Sequence, residues 1–266
     1  MQLSALYRYP LKSAAGESMG SALSDALGLA GDRRWMLAEA DSGRFVSQRN
    51  FPRLGLLQAR LVANGLTVVA PGLDRLTVAQ PDADSPARRV QIWGEQADAL
   101  DAGNEAAARL GSWLGLRCRL VYLPLQQGVP VDTRYAAHGE RTGFSDGFPF
   151  LLIGQASLED LSERVGRELD MRRFRPNLVV QGAPAYAEDQ WRRIRIGPVT
   201  FRVVKPCTRC IITTLDPDSG SRDSGGEPLA TLARYRKGEG GVLFGQNLIA
   251  ENTGELKLGM SVEVLE

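Results

Sequence analysis

The chain reads as a mainly β protein with a few helices, built as two β units that share one site. Two observations predict this. Short β-type runs recur through most of the 266 residues, and Gly, Pro, Asn and Asp interrupt them at close intervals, as antiparallel strands joined by tight turns require. Helical signals, by contrast, occupy only three stretches.

The β-type runs are Trp35–Glu39, Leu54–Leu61, Leu66–Ala70, Arg89–Trp93, Cys118–Leu123, Asn177–Gln181, Arg193–Ile196, Val199–Val204, Ile211–Leu215 and Ser261–Leu265. The first helical stretch, Asn104–Leu114, is alanine-rich, with Asn104 as its expected cap and Gly115 beyond its end. In the second, Ser157–Leu169, Ser157 and Asp160 resemble a capping box ahead of the apolar positions Leu158, Leu161 and Val165. The third, Pro228–Arg236, places proline in the first turn, where its missing N–H costs nothing. Between Gln126 and Phe148 the rhythm breaks into Gly, Pro, Asp and Thr, which reads as a long loop, and loops of that length in compact domains are functional or mobile. A boundary after Gly115 divides an N-terminal β unit, residues 1–115, from a C-terminal β-barrel unit, residues 116–266.

Composition removes several classes of function. Lys plus Arg number 32 against 31 for Asp plus Glu, so no global field draws the protein to nucleic acid or an anionic membrane, and any anion site must be local. No run approaches the roughly 20 apolar residues that span a bilayer. The N-terminus lacks a basic segment followed by an apolar run and carries no twin-arginine pair, which predicts a cytoplasmic protein. Three cysteines, two of them only three positions apart, do not form a disulfide framework and fit a reducing compartment.

The chemistry concentrates at Lys205-Pro-Cys-Thr-Arg-Cys210. A strand-like run meets Pro206, which is expected to end regular pairing and leave both thiols at a strand junction before a further strand starts at Ile211. Lys205 and Arg209 flank them, and nearby cations favour the thiolate that binds metals or attacks electrophiles. Residue types alone leave three readings open: small packed thiols, a zinc site for which only Cys118 and His138 could supply further ligands, and a thioredoxin-like redox pair, which a following helix would favour. Asp216-Pro-Asp218-Ser-Gly220 has paired carboxylates but is what a β-turn demands, with Asp216 in support of the cysteine loop. His138, the sole histidine, has no partner residue and receives no role.

Read together, Cys207-Thr-Arg-Cys210-Ile-Ile-Thr-Thr-Leu-Asp-Pro-Asp-Ser-Gly220, Glu227-Pro-Leu, Leu243-Phe-Gly-Gln246 and Leu258–Leu265 resemble a MOSC domain, named after the C-terminal domain of molybdenum cofactor sulfurase. Tyr9-Pro-Leu-Lys-Ser13, Gly31-Asp-Arg-Arg-Trp35 and Phe174-Arg-Pro-Asn177 resemble the rest of the subfamily that includes the mitochondrial amidoxime-reducing component and its bacterial relatives. The resemblance implies a MOSC β-barrel behind an N-terminal barrel-like domain. It implies Cys210 as the protein ligand to molybdenum, in a cofactor whose dithiolene supplies two further sulfurs. Lys12, Ser13, Arg33, Arg175, Asn177, Thr208, Arg209 and Asn247 are implied as cofactor-binding residues, with Cys207 a packed neighbour and Gly147-Phe148 standing where a small hydroxyl residue is expected. The superfamily also carries a pyridoxal phosphate association. The implied reaction is reduction of amidoximes, hydroxylamines and N-hydroxylated base analogues to amines. Neither a dinucleotide fingerprint nor an iron–sulfur cysteine spacing is present, which implies a separate electron donor of the ferredoxin, flavin reductase or cytochrome b5 type. A second reading is a molybdenum-cofactor carrier, or a sulfur carrier using Cys210, without reductase turnover.

Overall fold

A computed structural model describes residues 1–266. It is mainly β: strands dominate, and the helices are Asn104–Leu114, Gln155–Val165 and Leu229–Tyr235 with four short 3-10 turns.

The largest sheet has nine strands. Its order is Glu17–Ser18, Gln2–Arg8, Leu178–Gln181, Phe150–Gly154, Gly241–Ala250, Val199–Arg209, Arg193–Ile196 and Val262–Val264, with Lys237–Gly238 pairing on Gly241–Ala250. Pairing is antiparallel except between Phe150–Gly154 and Leu178–Gln181, which are parallel and joined across the helix Gln155–Val165. The opening strand meets the end of the chain at the Gln2–Ser261 bridge and through backbone hydrogen bonds from Leu3 N–H to the Met260 carbonyl (2.9 Å), Gly259 N–H to the Leu3 carbonyl (2.9 Å) and Val262 N–H to the Met1 carbonyl (3.0 Å), but no continuous ladder joins the two ends of the sheet, so the expected barrel is not closed by one. Phe150 and Phe201 meet edge to face at 5.1 Å in the core beneath, with Leu3, Leu178, Ile194 and Val262 around them.

Two further sheets carry the other half. Trp35–Glu39, Cys118–Tyr122, Glu95–Asp101 and Ala87–Ile92 form one, and the meander Gln58–Val62, Gly65–Ala70, Leu73–Ala79 forms another. The amphipathic helix Asn104–Leu114 buries Ala106, Leu110, Trp113 and Leu114 into the core they share with Trp35, Leu54, Val68 and Leu120. Strand pairing crosses the boundary near Gly115 in both directions. Gln2–Arg8 and Ser21–Asp25 pair with strands from the C-terminal half, whereas Cys118–Tyr122 pairs with strands from the N-terminal half.

Several local expectations are corrected. Ile211–Thr214 is a 3-10 turn, not a strand, because the Thr213 and Thr214 hydroxyls bond back to the carbonyls of Cys210 (3.0 Å) and Ile211 (2.7 Å), giving the backbone a local alternative to a ladder. A helical turn does therefore follow the cysteines, although only a four-residue one. Pro206 does not end its strand, which continues to Arg209; the register slips on either side of it, and a bulge is where a residue without N–H is tolerated. The first part of Leu54–Leu61 is likewise a 3-10 turn, Pro52–Leu56. Ser157 does not cap its helix, which starts at Gln155; its hydroxyl donates to buried Glu188 instead (2.8 Å). Asn104 lies inside its helix behind the cap Gly103, and its side-chain oxygen accepts from Arg119 (2.9 Å).

Candidate active site

One cavity of about 400 Å³ receives residues from both halves of the chain. Its floor and one wall come from the long strand Val199–Arg209 and the cysteine that follows it; Asn247, on the neighbouring strand, pairs with Lys205. The facing wall comes from Lys12, Ser13, Arg33 and the segment Phe45–Arg49, and the loop Gln126–Phe148 closes it with Phe144, Ser145, Asp146 and Phe148. All nine residues expected to bind the cofactor or metal line this space. His138 and Cys118 do not.

Arginines crowd one end. The guanidinium groups of Arg33 and Arg175 lie over the ring of Tyr9, at 4.3 and 4.4 Å from its centroid. Tyr9 is fully buried and its hydroxyl donates to the Pro176 carbonyl at 3.1 Å, so the ring is a fixed platform for both cations. Arg33 also donates to Asp32 (2.6 Å) and Asn177 (3.0 Å), and Arg175 to the Ala14 carbonyl (2.7 Å). Enclosure among protein atoms pushes the Arg175 guanidinium down to about 10, with the nearby charge of Arg33 adding to the effect. Arg33 moves the other way, because Asp32 more than offsets its burial. The remaining polar groups of Asn177 point inward: its Oδ1 also accepts from Leu151 N–H (3.2 Å) and its Nδ2 donates to the Tyr7 carbonyl (3.2 Å). At 1% exposure it is chiefly a brace behind Arg33.

Lys12 sits at the other side, 6% exposed, donating to the Phe144 carbonyl (2.7 Å) and Asp146 (2.5 Å). Burial lowers its pKa, which the Asp146 partner opposes. Asp146, with 58% of its side chain exposed, is held below the ordinary carboxylate range: the protein atoms around it would raise it, but Lys12, the Trp93 indole N–H (3.0 Å) and Arg49 together outweigh that.

The cysteines are separately engaged. Arg209 donates to Cys207 Sγ (3.0 Å) and to the Phe174 carbonyl (2.6 Å). Cys207 is therefore more than a packed thiol: it is half-buried, lines the cavity and holds a guanidinium. Cys210 Sγ accepts from Arg49 Nη2 at 3.2 Å, across 161 positions of sequence. Asp216 receives the N–H groups of Asp218 (3.1 Å) and Ser219 (3.0 Å), as a turn residue does, and its other oxygen holds Arg173 (2.8 Å), a second guanidinium on the cavity wall.

Comparison with known proteins gives this arrangement a family. Residues 1–117 match the MOSC N-terminal beta barrel domain and residues 139–263 the MOSC domain. Over 98% of the chain and 81% of the relative, it is 36% identical to mitochondrial amidoxime-reducing component 1 of Mus musculus, and 32% identical, over 98% and 82%, to that of Homo sapiens. A molybdenum cofactor sulfurase of Oryza sativa subsp. japonica is 30% identical over 92% of this chain and 32% of its own length. The chain belongs to the MOSC family.

In this MOSC protein the site is also where backbone strain gathers. Five residues other than glycine have positive φ, and four of them, Ser13 (67°), Arg33 (46°), Trp93 (54°) and Arg175 (56°), line the cavity. Left-handed backbone costs such residues roughly 1–2 kcal/mol each, and that cost persists where surrounding contacts impose the geometry. Sequence reasoning named three of these four. It missed Trp93, Arg49, Asp146 and Arg173. Trp93 carried a signal, since a bulky aromatic next to Gly94 at a hairpin turn contradicts the usual polar preference there. Arg49, in Ser47-Gln-Arg49, carried none.

Proposed function

We propose that this protein is an oxidoreductase that uses the molybdenum cofactor, Mo–molybdopterin, to reduce N-hydroxylated compounds such as amidoximes, hydroxylamines and N-hydroxylated base analogues. R–NHOH takes up two electrons and two protons and yields R–NH2 and water, with the electrons delivered by a separate protein of the ferredoxin, flavin reductase or cytochrome b5 type. The observation that carries this reading is the convergence of Cys210 with Lys12, Arg33, Arg175 and Arg209 on one cavity from four distant parts of the chain. The names of the relatives, amidoxime-reducing components and a molybdenum cofactor sulfurase, point to the same chemistry.

The residues present fit such a group. The cavity brings a soft thiol, Cys210, together with the guanidinium groups of Arg33, Arg175 and Arg209, the two kinds of group that a ligand carrying both a sulfur-bound metal and a phosphate requires. The Nε–H groups of Arg173 and Arg209 are buried without an acceptor, so two donors on this wall are left unspent by the protein itself.

When bound, the cofactor would supply the two-electron redox centre and Lewis-acid polarisation of the N–O bond. The chain supplies everything else. Cys210 would hold the metal; Arg33 and Arg175, fixed on Tyr9, with Ser13, Thr208 and Arg209, would hold the phosphate end; and Asn247 would face the pterin. Asn177 keeps Arg33 aimed, and Phe45, Phe148 and Trp93 line the cavity with apolar surface that limits water.

Elemental analysis and turnover test this together. Purified protein should contain molybdenum and reduce benzamidoxime with an artificial donor, and Cys210→Ser should lose both. Metal without turnover would favour the carrier reading, and metal retained with full activity in Cys210→Ser would remove the ligand assignment.

A further inference from the structure

Arg49 stands out among the cations of the cavity because the protein gives it almost nothing to bind. Its one hydrogen bond is to Cys210 Sγ (3.2 Å), and it joins no ion pair, whereas Arg33, Arg173, Arg175 and Arg209 all donate to protein oxygens. A guanidinium has five N–H donors in one plane, so four of those of Arg49 lack a protein acceptor.

The fold nevertheless fixes this side chain. Its guanidinium stacks on the Trp93 ring at 4.4 Å from the centroid. That ring is held in turn: its indole N–H donates to Asp146 (3.0 Å), Phe45 packs against it edge to face (4.9 Å), and its backbone sits at φ 54°. Asp146 is anchored by buried Lys12. A chain of contacts from Lys12 through Asp146 and Trp93 thus ends in a charged plane beside the cysteine, with its donors unspent. Preorganised donors of this kind stabilise charge that develops on a ligand atom, because they need no reorganisation when it arrives.

We propose that Arg49 is a catalytic residue that donates hydrogen bonds to the nitrogen-bound oxygen of the substrate, and that Trp93 is the positioning residue that aims it. This rests on the reductase reading above. The oxygen of an N-hydroxy group is the atom that leaves as water, so it gathers negative charge as the N–O bond weakens, and Arg49 lies on the side of the cavity where Cys210 places that event. The reduced product has no such oxygen. An amidine is moreover a cation, which a guanidinium repels.

The test is calorimetric titration of the oxidised, cofactor-loaded protein, without an electron donor, using benzamidoxime and benzamidine as probes and molybdenum content to normalise each preparation. Arg49→Met should weaken benzamidoxime about tenfold, the loss of a charge-assisted hydrogen bond, and leave benzamidine unchanged or bound more tightly. Arg49→Lys should restore part of the benzamidoxime affinity. Trp93→Gly, which relaxes the backbone at φ 54°, should reproduce part of the Arg49→Met loss. Equal weakening of both probes in Arg49→Met, unchanged benzamidoxime affinity, or failure of benzamidoxime to bind the wild type would overturn the assignment. Wild-type protein that binds benzamidoxime with this discrimination yet never reduces it would sink the reductase reading while supporting the Arg49 contact.

Discussion

Asn177→Ala separates two roles that a residue on the cavity wall can have. Its Oδ1 accepts from Arg33 and from the N–H of Leu151, and its amide donates to the Tyr7 carbonyl, with the whole side chain 1% exposed. Truncation leaves the Leu151 N–H unpaired in a dry interior and deprives the Tyr7 carbonyl of a donor. A buried group left unsatisfied costs about 1–3 kcal/mol, so a total loss of about 2–6 kcal/mol is expected for the two. For a chain of this size, at about 2–4 °C per kcal/mol, that is a drop in Tm of roughly 4–24 °C. Urea unfolding followed by tryptophan fluorescence gives the free energy, and molybdenum analysis of the same preparation reports cofactor retention. Asn177→Asp keeps both accepting contacts but sets a carboxylate oxygen against the Tyr7 carbonyl where the donor stood, so it should restore only part of what alanine loses. Stability within about 0.5 kcal/mol of wild type, a change typical of ordinary surface substitutions, combined with loss of molybdenum would refute the bracing argument and make Asn177 a direct cofactor contact.

Further outcomes follow from other positions. In Gly143→Ala the new Cβ would lie 2.8 Å from the Arg33 carbonyl oxygen and 2.9 Å from that of Asp32, both backbone atoms, so urea unfolding should show a loss of about 1–3 kcal/mol. Reduced molybdenum content should accompany it, because the Arg33 loop must shift. Asp146 has its pKa lowered in the fold, so it favours the folded state while ionised: the stability advantage of wild type over Asp146→Asn should be flat at neutral pH and shrink progressively as pH falls below the ordinary carboxylate value of 3.8. A difference that grows on acidification in urea titrations would contradict this. Cys118 is buried and its pKa is pushed up to about 11, so iodoacetamide at pH 8 should label Cys207 and Cys210 in the folded apoprotein and leave Cys118 unmodified, as peptide mass spectrometry would show. Ser13→Gly removes a residue at φ 67°, where glycine is at ease, and should leave stability equal or up to about 1 kcal/mol higher while lowering molybdenum retention.

The legible parts of the fold were those where local pattern and tertiary environment agree. Trp35–Glu39, Arg193–Ile196 and Asn104–Leu114 have the bounds their sequences suggest. The central strand Gly241–Ala250 went unseen because Gly241, Gly245, Gln246 and Asn247 break its apolar alternation, and it is strand pairing on both sides that holds it extended. Gln2–Arg8 was hidden in the same way by its serine and arginine, since its partner lies far along the chain. The cysteine segment misled at Ile211, where β-branched residues suggested a strand and threonine back-bonding made a turn. In the site, cysteine, lysine and the paired arginines were readable as ordered motifs. Arg49, Trp93 and Asp146 were not, because what joins them is a stacking distance and two hydrogen bonds that no spacing in the sequence encodes.

The placement of Gln2–Arg8 inside the largest sheet bears on how the protein comes to exist. It pairs with Leu178–Gln181, a strand made long after it, while Cys118–Tyr122 completes the sheet of the earlier half. On the ribosome the opening strand must therefore wait, with only the short strand Glu17–Ser18 beside it, until most of the polypeptide has emerged, and the earlier half folds without its own beginning. Contacts of such sequence separation form slowly. A polypeptide ending at residue 140 and released from the ribosome should thus hold a protease-resistant block from Trp35 to Tyr122 while its first residues stay open to cleavage, so birth order and spatial order run opposite ways in this molecule.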